Sequence, residues 1–292
     1  MLVIIGKNGQ LAKKCFELMG KSNRGEHAVC LGREDIDIVS DSAIDILNAY
    51  KPTAIINTSA YTAVDLAESQ EDKATAINRI GVANLSRYCH SRGIHFVHVS
   101  TDYVFKGDKG SPYLPNDKYD PVNTYGKSKM LGEQAVIENN SDNSCILRTS
   151  WVYSEFGGNF VASMLNLMAT KERLSIISDQ VGCPTSVDTL ARACIEAAKQ
   201  KLTGIHHVTD EGVASWYDFA KSIQRLGLEY GLLTTQIPIA PINTTDYPTP
   251  ASRPLYSVLS KDSFKAAIPN LTLPYWQDSL AQVLVKIKEN KE

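Results

Sequence analysis

Apolar and polar positions in the first half of the chain switch repeatedly between a period of two and a period near 3.6. "LVIIG" (2–6) is a short β-branched run that predicts a buried strand, and "LAKKCFELMGK" (11–21) then sets Leu11, Cys15, Leu18 and Met19 at helical spacing. "HAVCLG" (27–32) predicts the next strand, and "DSAIDILNAY" (41–50) a helix led by a capping Asp or Ser. "AIINTSA" (54–60) and "HFVHVST" (95–101) predict two more strands, separated by a helix over 72–93 that stops at a glycine. A helix over roughly 124–140 and a strand over 144–153 complete the series. Strict alternation of β and α units predicts a parallel sheet with helices on both faces, a doubly wound α/β fold. Beyond residue 153 the pattern loosens and proline becomes frequent, above all across 237–254. We therefore expect a first domain over 1–153 and a smaller lobe over 154–292, partly interleaved with it.

The 292 residues suffice for one large domain or two ordinary ones, and can bury a core without disulfides or metals. A formal net charge of −2 gives no electrostatic reason to bind nucleic acid or an anionic membrane. No uncharged run is long enough to span a bilayer, and the apolar run that opens the chain is too short for a secretory signal. Six scattered cysteines without a CxxC pair argue against a disulfide framework or a zinc site, and for buried reduced thiols. Together these features predict a cytoplasmic protein.

The segment "GKNGQLA" (6–12) joins the first predicted strand to the first predicted helix. A glycine-rich turn there lets backbone N–H groups and the helix N-terminus approach a pyrophosphate. The spacing GxxGxxA is weak evidence alone, since a tight turn without a ligand has the same composition. Its place in an alternating chain makes a dinucleotide-binding Rossmann domain the expectation for 1–153, with Gly6, Asn8 and Gly9 at the phosphates. The second strand runs out in Gly32 and Arg33, where no carboxylate waits for an adenosine ribose hydroxyl. Arg33 could pair with a 2′-phosphate, which favours NADPH. Otherwise Arg33 is simply solvated, and Asp35 or Asp37 reaches the ribose or adenine instead.

Ligands of a doubly wound sheet gather at the carboxyl ends of its strands, so "VSTDYVF" (99–105) is where hydroxyls would meet a substrate. Tyr125 and Lys129 follow at i and i+4, a spacing that puts both on one helix face. A tyrosine of pKa ~10 is a poor proton relay at neutral pH, and a neighbouring ammonium lowers it. Such a pair can exchange a proton with a carbonyl or alcohol oxygen, while the Thr101 hydroxyl holds that oxygen for hydride attack. The YxxxK spacing alone is common, and recurs by chance at Tyr217 and Lys221. Lys127, between Tyr125 and Lys129, is predicted to point away.

Taken in order, GxxGxxA, "NTSAYTAVDLAE" (57–68), "VSTDYVF", "YGKSK" (125–129), "LRTSWVY" (147–153), "DQVGCPT" (179–185) and "SRP" (252–254) resemble the extended short-chain dehydrogenase/reductases. Within that family the chain is most similar to the dTDP-4-dehydrorhamnose reductases, over nearly its whole length. The resemblance implies an oxidoreductase that uses NADPH, with NADH as the alternative donor. Its reaction would convert dTDP-4-dehydro-L-rhamnose to dTDP-L-rhamnose, a step that supplies surface polysaccharides such as lipopolysaccharide. It implies Tyr125 as proton donor, Lys129 as its pKa-lowering and ribose-binding partner, and Thr101 as the group that polarises the 4-keto oxygen. Ala60, Tyr61 and Thr62 would line the cofactor, with Gly9, Gln10 and Leu11 in the loop and Asp37 and Ile38 near the adenine. Asp102, Tyr103 and Trp151 would face the sugar, with Val64 nearby, and Arg253 would reach towards the nucleotide diphosphate. The lobe over 154–292 would mainly bind substrate, and a homodimer is compatible with the family.

The chain also departs from that pattern. Some relatives have an acidic residue where Gly32 stands, which leaves the choice between NADPH and NADH open. Some hold a metal at a dimer interface through a glutamate of the first helix; here that region carries Lys14 and Cys15, so no metal is expected. Read from the residues alone, Trp151 could be a core aromatic, Arg253 a loop cap, and His95 and His98 satisfied buried histidines. Asp179 and Gln180 could be turn stabilisers. Two other functions remain open: reduction or epimerisation of another nucleotide-linked 4-keto sugar, and a non-catalytic regulatory role, as in the β subunit of methionine adenosyltransferase. An intact Thr101, Tyr125 and Lys129 argue against the second.

Overall fold

A computed structural model describes residues 1–20 and 28–290. Strands form at Leu2–Ile5 (β1), Ala28–Leu31 (β2), Ala54–Asn57 (β3), His95–Thr101 (β4) and Ser144–Thr149 (β5). The predicted helix end at Lys21 and strand start at His27 lie outside the described residues. With Gly204–His207 the five strands build one parallel sheet, in the order Gly204–His207, β5, β4, β3, β1, β2. The chain steps outward from β1 to β2 and then crosses back to β3 on the other side. A doubly wound sheet opens its ligand crevice at such a reversal, here between β1 and β3.

Both sheet faces are apolar because successive strand residues point to opposite sides. Ile4, Ile56, Val97 and Cys145 pack under Gln10–Gly20 and Val187–Lys199. Val3, Ile55, Phe96 and Ile146 pack under Ala43–Tyr50, Val82–Arg92 and Thr124–Asn140. The predicted helix over 72–93 is a joined series, Glu71–Thr75, a π-helical stretch Ala76–Gly81, and Val82–Arg92. Such π turns often mark functional sites.

The predicted strand over 144–153 breaks after Thr149, where Trp151 takes a left-handed backbone at φ 48°. Val152–Tyr153 then pairs with Thr185–Ser186 instead. The later half returns to the sheet through Val187–Lys199 and Gly204–His207, the latter on β5. Its helices Phe160–Thr170, Trp216–Glu229 and Trp276–Glu289 surround Tyr153, Phe219 and Trp276 in a second apolar cluster, while Phe264 of the short helix Asp262–Ala267 packs into the first. All six cysteines are unbridged, five buried and Cys30 half-buried. Among the described residues no helix is long and apolar enough to cross a membrane.

Candidate active site

A cleft of ≈ 530 Å³ opens over the carboxyl ends of β1, β2 and β3. Gly6 forms its floor at φ +113°, and a Cβ at that position would lie 2.5 Å from Thr58 Oγ1. Only glycine gives both that backbone and that closeness. Gly9 N–H closes the turn on Gly6 O at 2.8 Å, and the helix Gln10–Gly20 begins immediately after it. The loop thus has the shape and the helix N-terminus that suit a pyrophosphate.

Gly6, Asn8, Gly9, Arg33, Asp37, Ile38, Ala60 and Thr62 all line this cleft. Gln10, Leu11 and Tyr61 are turned elsewhere. The Gln10 amide donates to Val152 O at 3.2 Å and accepts from Ser154 Oγ at 2.7 Å. Leu11 packs into the core, and the Tyr61 hydroxyl donates to Gln70 Oε1 at 3.2 Å. After β2, Asp35 accepts from Gly32 N–H at 2.9 Å and from Lys7 Nζ at 3.3 Å, which holds its carboxyl below the usual range. Glu34 meets the same lysine at 3.4 Å, so both carboxylates are drawn to Lys7 while Arg33 lines the cleft. Lys73 also lines it; no motif in the sequence marks that residue.

Asn123 caps the helix Thr124–Asn140, its Oδ1 accepting from Gly126 N–H at 2.7 Å. A Cβ on Gly126 would run into Tyr103 O, so this glycine lets the helix sit directly on the segment after β4. Tyr125 consequently meets Tyr103 edge to face at 5.7 Å. Thr101, at the end of β4, donates to Asp102 Oδ1 at 2.9 Å and accepts from Tyr103 N–H at 3.2 Å, in the segment on which the Tyr125 ring packs. Burial pushes the phenol up to about 12; the nearby Thr101 hydroxyl opposes the shift and the Asp102 charge adds to it.

Spacing alone predicts that Lys129 lowers the phenol's pKa, and here the structure differs. Lys129 Nζ donates to Val99 O at 2.7 Å and stands 3.5 Å from His98 Nε2, so its charge is spent on β4 rather than on Tyr125. Burial lowers Lys129 itself to about 8, against the opposing charge of Glu133. Lys127 points outward, as expected, and pairs with Glu71 at 3.0 Å.

Two buried clusters that motif reading missed hold these groups in place. Glu133 and Arg148, both fully buried, pair at 2.6 Å, and Glu133 also accepts from Ser100 Oγ and, at 2.7 Å, from Tyr119 OH. Asn78, on the π turn, accepts from Tyr61 N–H at 2.8 Å and donates to Ser128 Oγ at 2.9 Å. An arginine inside the apolar run "CILRTS" is the one visible signal for the first cluster.

In the later half, Trp151 stacks on Trp216 with ring centroids 3.6 Å apart, and Trp216 Nε1 donates to Gln180 Oε1 at 3.2 Å. Asp179 accepts from Thr244 N–H at 2.9 Å, so these two residues tie loops together. Asp102 is buried, with Oδ1 accepting from Thr101 and Oδ2 without a hydrogen-bond partner. Arg253 grips Asp65, beside Val64, with two bonds of 3.1 and 2.8 Å. Tyr217 packs against the lobe's apolar cluster and Lys221 is exposed, away from these groups. His95 is buried against Asn143 Oδ1 at 3.2 Å. Among the described residues no group of three or more His, Cys, Asp or Glu side chains is arranged to hold a metal ion. Lys14 lies buried between Glu17 and Glu155.

A family model described as the RmlD substrate binding domain matches residues 1–289. A dTDP-4-dehydrorhamnose reductase from Sinorhizobium fredii is 39% identical over 292 residues, which cover 97% of this chain and 96% of that protein. Among solved structures, a dTDP-4-dehydrorhamnose reductase from Clostridium acetobutylicum matches with a TM-score of 0.92 at 36% identity, over 98% of this chain and 99% of its own. Another, from Bacillus anthracis and in complex with NADP, matches with a TM-score of 0.89 at 33% identity, over 98% of each chain.

Proposed function

We propose, from the premise that this chain belongs to the RmlD substrate binding domain family, that it reduces the 4-keto group of dTDP-4-dehydro-L-rhamnose to give dTDP-L-rhamnose. The observation that carries this reading is the packing of Tyr125 on Tyr103, whose N–H is held by Thr101 at the carboxyl end of β4, beside a glycine-floored cleft built for a dinucleotide. NADPH, when bound there, supplies the hydride that reaches C4. Tyr125 gives its phenolic proton to the C4 oxygen, so that ketone, hydride and proton together make the secondary alcohol. A phenol held up at about 12 stays protonated across the neutral range, which is the form a proton donor needs. Thr101 orients the keto oxygen, and Lys129 is assigned to the nicotinamide ribose.

Arg33 supports NADPH over NADH. It lines the cleft, while Lys7 draws off the two carboxylates that follow it. A guanidinium there suits a 2′-phosphate. The stacked Trp151 and Trp216 would form one wall for the sugar, contributed in part by the lobe beyond residue 153. Six unbridged cysteines fit the cytoplasm, where thiols stay reduced.

The test is to mix the pure protein with NADPH and dTDP-4-dehydro-L-rhamnose, and to follow nicotinamide absorbance and the sugar product together. Equimolar loss of NADPH and gain of dTDP-L-rhamnose is expected. Faster turnover of a UDP- or GDP-linked 4-keto sugar would move the substrate assignment. No turnover on any of them would overturn the enzymatic reading.

A further inference from the structure

A buried chain of polar groups runs from β3 to Lys129, and the reaction as derived above makes no use of it. Ser59 N–H donates to Asn57 Oδ1 at 3.1 Å, and Ser59 Oγ donates to the same oxygen at 2.6 Å. A backbone N–H can only donate, so the orientation of the Asn57 amide is decided by its partner. Its Nδ2 therefore faces His98 Nδ1, 3.2 Å away, and donates to it. A neutral imidazole that accepts at Nδ1 carries its proton on Nε2. His98 is neutral, because burial first and the Lys129 charge second push its pKa well below the ordinary range. Its Nε2–H consequently points at Lys129 Nζ, 3.5 Å away. On its other side Nζ donates to Val99 O at 2.7 Å.

An ammonium has three donors and no acceptor, so it gains nothing from an N–H turned towards it. An uncharged amine offers its lone pair to that N–H and still donates to Val99 O. We propose that Asn57 and His98 are positioning residues for Lys129: by holding one imidazole tautomer they present a donor to the lysine and bias it towards the uncharged form. Burial alone already lowers Lys129 to about 8, and the donor from His98 acts in the same direction. A lysine of that kind releases a proton near neutral pH, where an ordinary lysine of pKa ~10.4 keeps it. The other titratable groups around Lys129 are few. Glu133, one turn further along its helix, opposes the shift, and its charge is already shared with Arg148 of β5. Tyr125 lies on the preceding turn, and the π turn packed on this helix presents the uncharged Asn78. The value of a readily deprotonated Lys129 to turnover rests on the reductase reading, whereas the tautomer does not.

The inference is tested without substrate, so its failure is separable from failure of the proposed reaction. In the free protein labelled with [15N]histidine, His98 is assigned by its loss in His98→Gln. A pyrrole-type Nε2 with a pyridine-type Nδ1 is expected, and the reverse pattern would overturn the proposal. A titration of [13Cε]lysine, with Lys129 assigned through Lys129→Arg, reads the consequence. Asn57→Val frees the imidazole to turn its Nε2 lone pair to the ammonium, which should raise the Lys129 midpoint by about one pKa unit, a tenfold change in proton affinity. A midpoint that stays or falls, as a packing role for Asn57 predicts, would overturn it. Should Asn57→Val fail to fold, the nitrogen pattern of wild-type His98 still decides.

Discussion

Tyr125 and Lys129 stand one helical turn apart and meet different stretches of the chain, Tyr103 beyond β4 and Val99 within it. The phenol ring packs on Tyr103, two residues past the end of β4, at 5.7 Å, while Lys129 Nζ donates to Val99 O within the strand at 2.7 Å. The hydroxyl of Tyr125 can therefore be removed without disturbing what Lys129 holds. In Tyr125→Phe the ring keeps its edge-to-face contact with Tyr103, so folding should be unaffected. Loss of a positioned acid should lower kcat by about 10²–10⁴-fold, read as NADPH consumption, with the thermal midpoint unchanged. Wild-type turnover in this variant would remove Tyr125 from the chemistry.

Lys127 and Lys129 offer a contrast within three residues. Lys127 is exposed and pairs with Glu71 at 3.0 Å, a solvent-screened contact of ~0–1 kcal/mol. Lys129 is buried between Val99 O and His98. Lys127→Ala should leave kcat within about twofold, since exposed pairs contribute little. Lys129→Ala should lower kcat by roughly 100-fold, the scale of a misplaced reactant, because it removes the group assigned to the nicotinamide ribose. Equal effects of the two substitutions would contradict the placement of Lys129.

Much of this architecture is legible in the residues, and what is not has definite physical causes. The strands β1 to β5 are short apolar runs bounded by glycine or polar residues, so their positions follow from periodicity. Gly204–His207 does not, because "GIHH" holds one aliphatic residue and two histidines and completes a sheet edge laid down sixty residues earlier. The π turn Ala76–Gly81 hides inside a helical period that a single extra residue per turn barely alters. Arg253 is visible as a cation, but its partner Asp65 lies 188 residues away and only the fold brings them together. The i,i+4 spacing of Tyr125 and Lys129 specifies a shared helix face; it does not say that a strand carbonyl will claim the ammonium.

Glu133 and Arg148 join the helix that carries Tyr125 and Lys129 to β5, with neither side chain exposed. Their charges satisfy one another and are further bonded by Tyr119 and by Pro115 O at 2.7 and 2.9 Å. Removing one partner strands the other as a buried charge. Arg148→Met should therefore destabilise the protein by ~3–5 kcal/mol in urea unfolding, the range for breaking a buried pair. The double variant Glu133→Leu/Arg148→Met leaves no lone charge and should recover part of that loss. A double variant as unstable as the sum of the singles would show that the two side chains act independently.

Asp102 gives the site a pH dependence of known sign. Burial pushes its carboxyl up to about 6, with the nearby Ser257 hydroxyl and the bond from Thr101 opposing. In the unfolded chain the same group titrates near ~3.9. The folded protein therefore holds this proton more tightly, and the stability it contributes is complete below pH ~4 and is lost as pH rises through about 6. Asp210, also raised to about 6 by burial, acts in the same direction, so a wild-type profile alone would not separate them. Asp102→Asn keeps the shape and cannot ionise. Measured by urea unfolding at several pH values, the variant should gain on wild type by ~2–3 kcal/mol between pH ~4 and ~7, the equivalent of two pKa units. A difference between variant and wild type that is flat across that window would mean that Asp102 titrates in the folded protein as it does in water.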